Sequence, residues 1–359
     1  MINLDDTPAV IKLQGGEKVI DSIDGLGKQL AQAWKESQAI TIPESYKNVS
    51  AIVVCGMGGS RFPALIIKEL FKKHLKVPIE IQDNYFPPAW VGENTLVILS
   101  SYSGTTEEVL ASGAAAYHQG AKKLLGITTG GDVAAFLKEK GAPCYVFEPT
   151  HNPSAQPRIG VGYMLGGLLG LIATLGLIDL DLSDVDRAIE NLGALLWTNK
   201  IGVETSKNKA KQMALMIVDH YPYYIVSEFL TGAGNAIQNQ TNETAKSIAS
   251  YRVISELNHH LMEGLKHPKA HTEIALFIFF SSQLLSGPMQ KRFQITREVV
   301  EKNNIKTLWH ELAGKTEIEQ IFELLGFGGY LTMYLSALYG EDPTAIPYVD
   351  YFKKKLKEV

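Results

Sequence analysis

The stretch NTLVILSSYSGTTEE, residues 94–108, decides the fold. Residues 96–99 form an unbroken apolar, β-prone run, which is how a strand buried on both faces reads. The run gives way to Ser101, Ser103, Gly104, Thr105 and Thr106, followed by Glu107 and Glu108. Hydroxyls and then carboxylates are what a helix start favours, through capping and the helix dipole. Strand, polar turn and helix are therefore the building unit, and the unit recurs outward from here. Upstream, the β-rich run 51–55 leads into Gly56-Met57-Gly58-Gly59-Ser60 and a helical pattern from about Pro63, with VPIEIQ (77–82) after it. Downstream come KLLGITT (123–129), a short helix from Asp132, and PCYVFE (143–148). Four or five short apolar strands with intervening helices predict a parallel sheet covered on both faces.

The rest of the chain repeats this rhythm without an obvious repeated motif. An amphipathic helix over 17–37 opens the protein. YYIVSEF (223–229), EIALFIFFSS (273–282) and IKTLWHEL (305–312) alternate with helices near 288–303 and 316–339. The acidic connector 179–189 marks a boundary, giving units over 1–180 and 181–340 and a short basic segment over 341–359. Residues 159–178, IGVGYMLGGLLGLIATLGLI, are uncharged and long enough to cross a bilayer. They stand without a second span, with few flanking basic residues, and carry Gly162, Gly166 and Gly170 at four-residue spacing. The prediction is a buried helix at a domain or subunit interface, not a membrane segment.

Composition narrows the function classes. The 359 residues carry a formal charge of −4 with 20 % charged residues, and no basic block of the kind that nucleic-acid binding needs. Cys55 and Cys144 both lie in apolar runs that read as buried strands, which argues against a disulfide framework or a metal cage. The opening MINLDDTPAVIKL reads as too acidic and too broken for a signal peptide, so a cytoplasmic protein is expected.

Ligands of parallel α/β sheets sit beyond the carboxyl ends of the strands. Here those ends carry Gly58-Gly59-Ser60, the 101–106 hydroxyl cluster and Thr128-Thr129-Gly130. Backbone N–H groups at a helix start, with hydroxyls beside them, suit a phosphate monoester. Simple N-capping would need one hydroxyl, and four stand within six residues. Neither a complete dinucleotide fingerprint nor GxxxxGK[ST] is present. A second polar stretch, NQTNETAKSIASYRVISELNHH (239–260), carries Glu243 and His259. A carboxylate and an imidazole are the groups that move a proton from carbon and a proton on oxygen. The competing reading of Glu243 is a surface carboxylate paired with Lys246 or Lys207. On a helix Glu263 could share a face with either His259 or His260, but the sequence offers no third metal ligand.

Together these residues resemble a family. SSYSGTTEE with GMGGS upstream resembles the sugar isomerase (SIS) domain. Two such halves, Pro157-Arg158 near the middle, NETAK (242–246) and ELNHH (256–260) resemble the bifunctional phosphoglucose/phosphomannose isomerases, over roughly residues 15 to 357. The resemblance implies two α-β-α SIS domains and a cofactor-free, metal-independent aldose-ketose isomerase acting on glucose-6-phosphate and fructose-6-phosphate, with mannose-6-phosphate as a further substrate. It implies phosphate binding by Ser60, Ser101, Ser103 and Thr106, beside Gly58 and Gly59. It makes Glu243 the base that carries a proton between C2 and C1, and His259 the ring-opening group. Arg158 becomes the active-site cation and Lys353 a C-terminal lysine of the site. It further implies a homodimer in which His259 comes from the neighbouring subunit. The family pattern Asn-His-Asn-Glu is met here by Asn258-His259-His260-Leu261, a departure beside the histidine. The alternatives are a phosphosugar sensor without catalysis, which has no need of a base at 243, and an aminosugar-phosphate isomerase, for which no ammonia-handling site is found.

Overall fold

The computed structural model describes residues 2–356 and 358; Met1, Lys357 and Val359 lie outside them. Two parallel sheets form the frame. β1 (Ala51–Cys55), β2 (Ile79–Gln82), β3 (Thr95–Ser100), β4 (Lys123–Thr128) and β5 (Cys144–Val146) lie in the order β2-β1-β3-β4-β5. β6 (Tyr221–Val226), β7 (Ser250–Val253), β8 (Ala275–Ser281) and β9 (Lys306–Glu311) lie in the order β7-β6-β8-β9. β1, β3 and β8 are buried along their whole length, as their unbroken apolar sequences require. Helices cover both sheets, so the α-β-α expectation holds in each half.

The halves share one topology. β1 and β6 each run between the second and third strands of their sheets. The register pairs Cys55 with Leu99, so the turns after β1 and β3 open at the same carboxyl edge.

The glycine-rich segment forms the helix Val161–Thr174, which is buried almost throughout. It is buried as expected: its first residue, Val161, lines a small cavity with Gln240, Leu325 and Gly329 of the second half, and most of its length packs within the first. A Cβ at Gly166 would lie 2.8 Å from the Leu30 carbonyl, and one at Gly167 would lie 2.5 Å from Ile127. The helix is thus wedged between the helix Leu26–Gln38 and the first sheet, inside the N-terminal half, because small residues let two backbones approach. A longer core helix, Glu317–Tyr339, is long and apolar enough to cross a membrane, with mean hydropathy 1.3, but it is buried in the protein from Ile318 to Leu338.

Three differences concern local elements. The expected helix over 17–37 is two helices, Gly16–Asp24 and Leu26–Gln38, which meet at Gly25 where the chain passes the His151 carbonyl. The basic C-terminal segment contains a helix, Pro347–Leu356, with Tyr348, Tyr351 and Phe352 exposed. Cys144 is half-buried, not buried; both cysteines are free thiols, and burial pushes Cys55 up to about 11 and Cys144 up to about 12.

The N-terminal residues tie the halves together. Lys211, buried in the second half, donates to Asp5 at 3.2 Å and to the Ile201 carbonyl at 2.9 Å, and Tyr330 donates to Asp24.

Candidate active site

The turns after β1 and β3 are stitched into one surface. Ser60 ends the short turn Gly58–Ser60; its Oγ accepts the Tyr102 N–H at 2.8 Å, and its carbonyl accepts the Ser100 hydroxyl at 2.8 Å. Gly58 sits at φ +48°, where a side chain is strained. Next to it, a Cβ on Gly59 would stand 3.1 Å from the Pro157 carbonyl and 3.2 Å from the Arg158 nitrogen. The glycine pair therefore lets the first turn lie directly against Pro157-Arg158.

In the second turn the hydroxyls face one another. Ser101 and Thr106 are 2.8 Å apart, Ser103 and Thr105 are 3.1 Å apart, and Ser101 also accepts the Gly104 N–H at 3.1 Å. Thr106 is the N-cap of the helix Glu107–His118, yet its side chain makes no capping bond. Simple capping does not account for the cluster. What remains is a helix start without a side-chain cap, ringed by hydroxyls that reorient easily, and that arrangement suits a phosphate.

Arg158 and Glu243 meet across the junction of the halves. The Arg158 side chain is 1 % exposed, and all three of its nitrogens are engaged. Nε donates to Thr244 Oγ1 at 3.0 Å, Nη1 to Gln156 at 2.8 Å and to Glu243 at 3.4 Å, and Nη2 to the carbonyls of Pro343 at 2.6 Å and Thr344 at 3.2 Å. Glu243 stands in the last turn of the helix Thr231–Thr244, and its side chain is 33 % exposed. Burial raises its carboxyl above the ordinary value, opposed in order by the charges of Arg158, Lys353 and Lys246. Burial likewise holds Arg158 and Lys246 below their ordinary values. Lys246 does not pair with the Glu243 carboxylate; its ammonium donates to the carbonyls of Glu243 and Thr244 and to that of Asp342. Lys207 pairs with Glu204 instead. The surface-carboxylate reading of Glu243 therefore fails. The result is a carboxylate open to one side, raised toward the range of a working base, with cations behind it.

Lys353 lies on the exposed helix Pro347–Leu356, and its charge is felt at Glu243. His259 is elsewhere. It is exposed on the helix Leu257–Gly264, and among the described residues its side chain has no hydrogen bond to Glu243, Arg158 or the hydroxyl turns. Topology explains the separation. The helix bearing Glu243 runs back along the sheet, ending at the amino edge where β7 begins. The helix bearing His259 starts after the carboxyl end of β7. Four residues of strand, about 13 Å, and two connectors stand between them. Within one chain the two groups occupy opposite edges of the second sheet. His260 reaches Glu256 at 3.7 Å on the same helix, and among the described residues no group of three His, Cys, Asp or Glu side chains comes together as a metal site.

The second half shows why the hydroxyl cradle belongs to the first. After β6, Glu228 takes the place in the turn that Gly58 takes after β1, at the same φ of +48°. Its carboxylate accepts the N–H of Ser286 at 3.0 Å and its hydroxyl at 2.6 Å, at the start of the helix Gly287–Lys302. That helix start already holds an internal anion. Several residues of the junction escaped sequence reasoning: Gln156, Gln240, Thr244 and the loop Asp342-Pro343-Thr344. The loop acts through backbone carbonyls, which any sequence could supply, whereas Thr244 had the one available signal of adjoining Glu243.

Comparison with known proteins follows the same lines. The family model of the bacterial phospho-glucose isomerase C-terminal SIS domain matches residues 206–356. A protein of Caldicellulosiruptor bescii named bifunctional phosphoglucose/phosphomannose isomerase is 30% identical over 348 residues, covering 95% of this chain and 99% of that protein. One of Aquifex aeolicus with the same name is 26% identical over 343 residues, covering 95% and 99%. Among solved structures, a hypothetical protein from Thermus thermophilus superposes with a TM-score of 0.75 at 15% identity, over 98% of this chain and 93% of that one. This last likeness shows the fold alone.

Proposed function

The chain belongs to the bifunctional phosphoglucose/phosphomannose isomerase family, and we propose that it interconverts glucose-6-phosphate and fructose-6-phosphate, and accepts mannose-6-phosphate, through a cis-enediol. Either aldose loses its C2 proton to reach the same enediol, so one base can serve both. In this reading the sugar phosphate rests in the cradle of Ser60, Ser101, Ser103 and Thr106, against the backbone of Gly58 and Gly59. Binding energy from the phosphate holds C1 and C2 against Glu243. Glu243 takes the proton from one carbon and returns it to the other. Arg158 holds that carboxylate and supplies the positive field in which the enediolate forms. Ring opening and the proton traffic on the sugar oxygens fall to the partner subunit's His259, with Lys353 nearby.

One observation carries the proposal: the partly exposed Glu243 carboxylate, 3.4 Å from a buried guanidinium whose main chain abuts the hydroxyl cradle. The dimer rests on the opposite edges occupied by Glu243 and His259, since a second copy is what would bring the two together.

The test is a coupled assay with fructose-6-phosphate in the presence of EDTA, reading glucose-6-phosphate and mannose-6-phosphate separately. Wild-type turnover is expected, with kcat lower by about a thousandfold in Glu243→Gln, the scale of a lost general base. Tight binding of fructose-6-phosphate without turnover in wild type would leave a phosphosugar sensor. Turnover that EDTA abolishes would overturn the metal-free mechanism.

A further inference from the structure

We propose that Gln240 is a positioning residue of the isomerase: it fixes the offset between the phosphate cradle and Glu243 by gripping the main chain of Arg158. The inference rests on the isomerase reading and goes beyond the residues that reading names. Gln240 lies one turn before Glu243 on the helix Thr231–Thr244, and its residue is 1 % exposed. Its side-chain amide donates to the Arg158 carbonyl at 2.9 Å. Residues three and four apart share a helix face, so Gln240, Glu243 and Thr244 form one stripe. That stripe holds Arg158 at both ends, with the carbonyl on Gln240 and the guanidinium on Thr244 and Glu243. On its other side the Arg158 main chain meets Gly59 of the cradle turn. The glutamine is thus the link that sets how far the cradle, built on the first half, stands from the base, built on the second.

The chemistry of the side chain supports a dedicated role. Gln240 Oε1 is buried and makes no hydrogen bond among the described residues, in a setting lined by Ile23, Leu26, Ile159, Val161 and Leu325. Gly328 of the helix Glu317–Tyr339 leaves it room, since a Cβ there would lie 3.0 Å from Oε1. A half-satisfied amide in apolar surroundings is a net cost that Met or Leu would avoid. What the amide provides in return is its single bond to Arg158.

Gln240→Met keeps length and volume and removes the donor; Gln240→Asn keeps an amide one methylene short of the carbonyl. In both, kcat is expected to fall about ten- to a hundredfold through misplacement of the base, with the KM for fructose-6-phosphate nearly unchanged. The acidic limb of kcat/KM moves to higher pH, because a displaced Arg158 offsets the burial of Glu243 less. The other charges facing this group are Lys246 and Lys353, with Asp342 acting on Arg158 and Lys246 from behind, and neither substitution touches them. A lower Tm with kcat, KM and the pH limb all at wild-type values would reduce Gln240 to packing and overturn the inference. A ¹³C titration of the Glu243 carboxyl, assigned by its loss in Glu243→Gln, reads the same displacement without turnover. An upward shift there in Gln240→Met supports the link even if wild type proves inactive, and an unshifted titration refutes it whether or not the isomerase reading stands.

Discussion

Replacing Arg158 tests the coupling between the halves and the base. The guanidinium supplies five hydrogen bonds: to Thr244, Gln156, Glu243, and the carbonyls of Pro343 and Thr344. Arg158→Met leaves these acceptors without their donor and Glu243 without its nearest cation. Removing one member of a buried charged pair costs about 3–5 kcal/mol, which for a chain of this size lowers Tm by about 5 °C. Arg158→Lys keeps the charge but can donate at most three bonds from one nitrogen. Two acceptors go unmet, and at about 1–3 kcal/mol each for a buried orphan the loss is about 2–6 kcal/mol. The two variants separate more sharply in function. With methionine, the burial of Glu243 is opposed only by Lys353 and Lys246, so its carboxyl rises further and the acidic limb of kcat/KM moves to higher pH. With lysine the limb stays near its wild-type position. Loss of the field at the enediolate lowers kcat in the methionine variant by about a hundredfold or more. Thermal melts with pH–rate profiles of both proteins make the measurement. An Arg158→Met enzyme with wild-type kcat and an unmoved acidic limb would refute the argument, because it would show a base indifferent to the cation beside it.

The stability of Glu243→Gln has a determined sign. Burial raises the folded-state value of this carboxyl, so the associated stability is fully present below the unfolded value and lost as pH rises through the folded one. Ionised Glu243 therefore costs stability at neutral pH. The Gln variant should melt at or above wild type there, with the gap closing in acid; a variant that melts well below wild type at neutral pH contradicts this. Complementation tests the shared site: mixing Glu243→Gln with His259→Ala should restore about a quarter of wild-type activity, since half the dimers are mixed and each carries one intact site. No recovery after exchange of subunits would place both groups in the same chain. Removing hydroxyls with Ser101→Ala and Thr106→Val should raise the KM for fructose-6-phosphate about tenfold or more, as expected for bonds to a charged phosphate, and weaken competition by inorganic phosphate. An unchanged KM would place the phosphate elsewhere.

What the sequence made legible was local. Continuous apolar runs such as 96–99 and 275–280 became strands because a strand buried on both faces has no other composition, and the hydroxyls at 101–106 marked the carboxyl edge that they do occupy. The glycines of 159–178 announced close helix packing but not its partner, because Leu30 and Ile127 are distant in sequence and only the folded layers select them. The same limit applied at the Arg158 junction, where the pairing partners come from residues 156, 243, 244, 343 and 344, two of them through carbonyls that every residue carries.

The internal repeat was hidden for a related reason: it lives in strand order, β2-β1-β3-β4 against β7-β6-β8-β9, and not in shared residues. Once the topologies are aligned, the unequal chemistry of the halves follows from one position. Gly58 leaves its turn open beside uncapped helical N–H groups, whereas Glu228, at the same φ, fills its turn with a carboxylate bound to Ser286. The first half is thereby free to take an exogenous anion and the second is not. The second half instead contributes the end of a helix, at the amino edge of its sheet, where Glu243 meets Arg158. That edge is also the one that the His259 of the same chain does not reach. On the proposed reading, the filled turn leaves the phosphate to the first half, and the edge that His259 does not reach makes a second copy the source of the partner for Glu243.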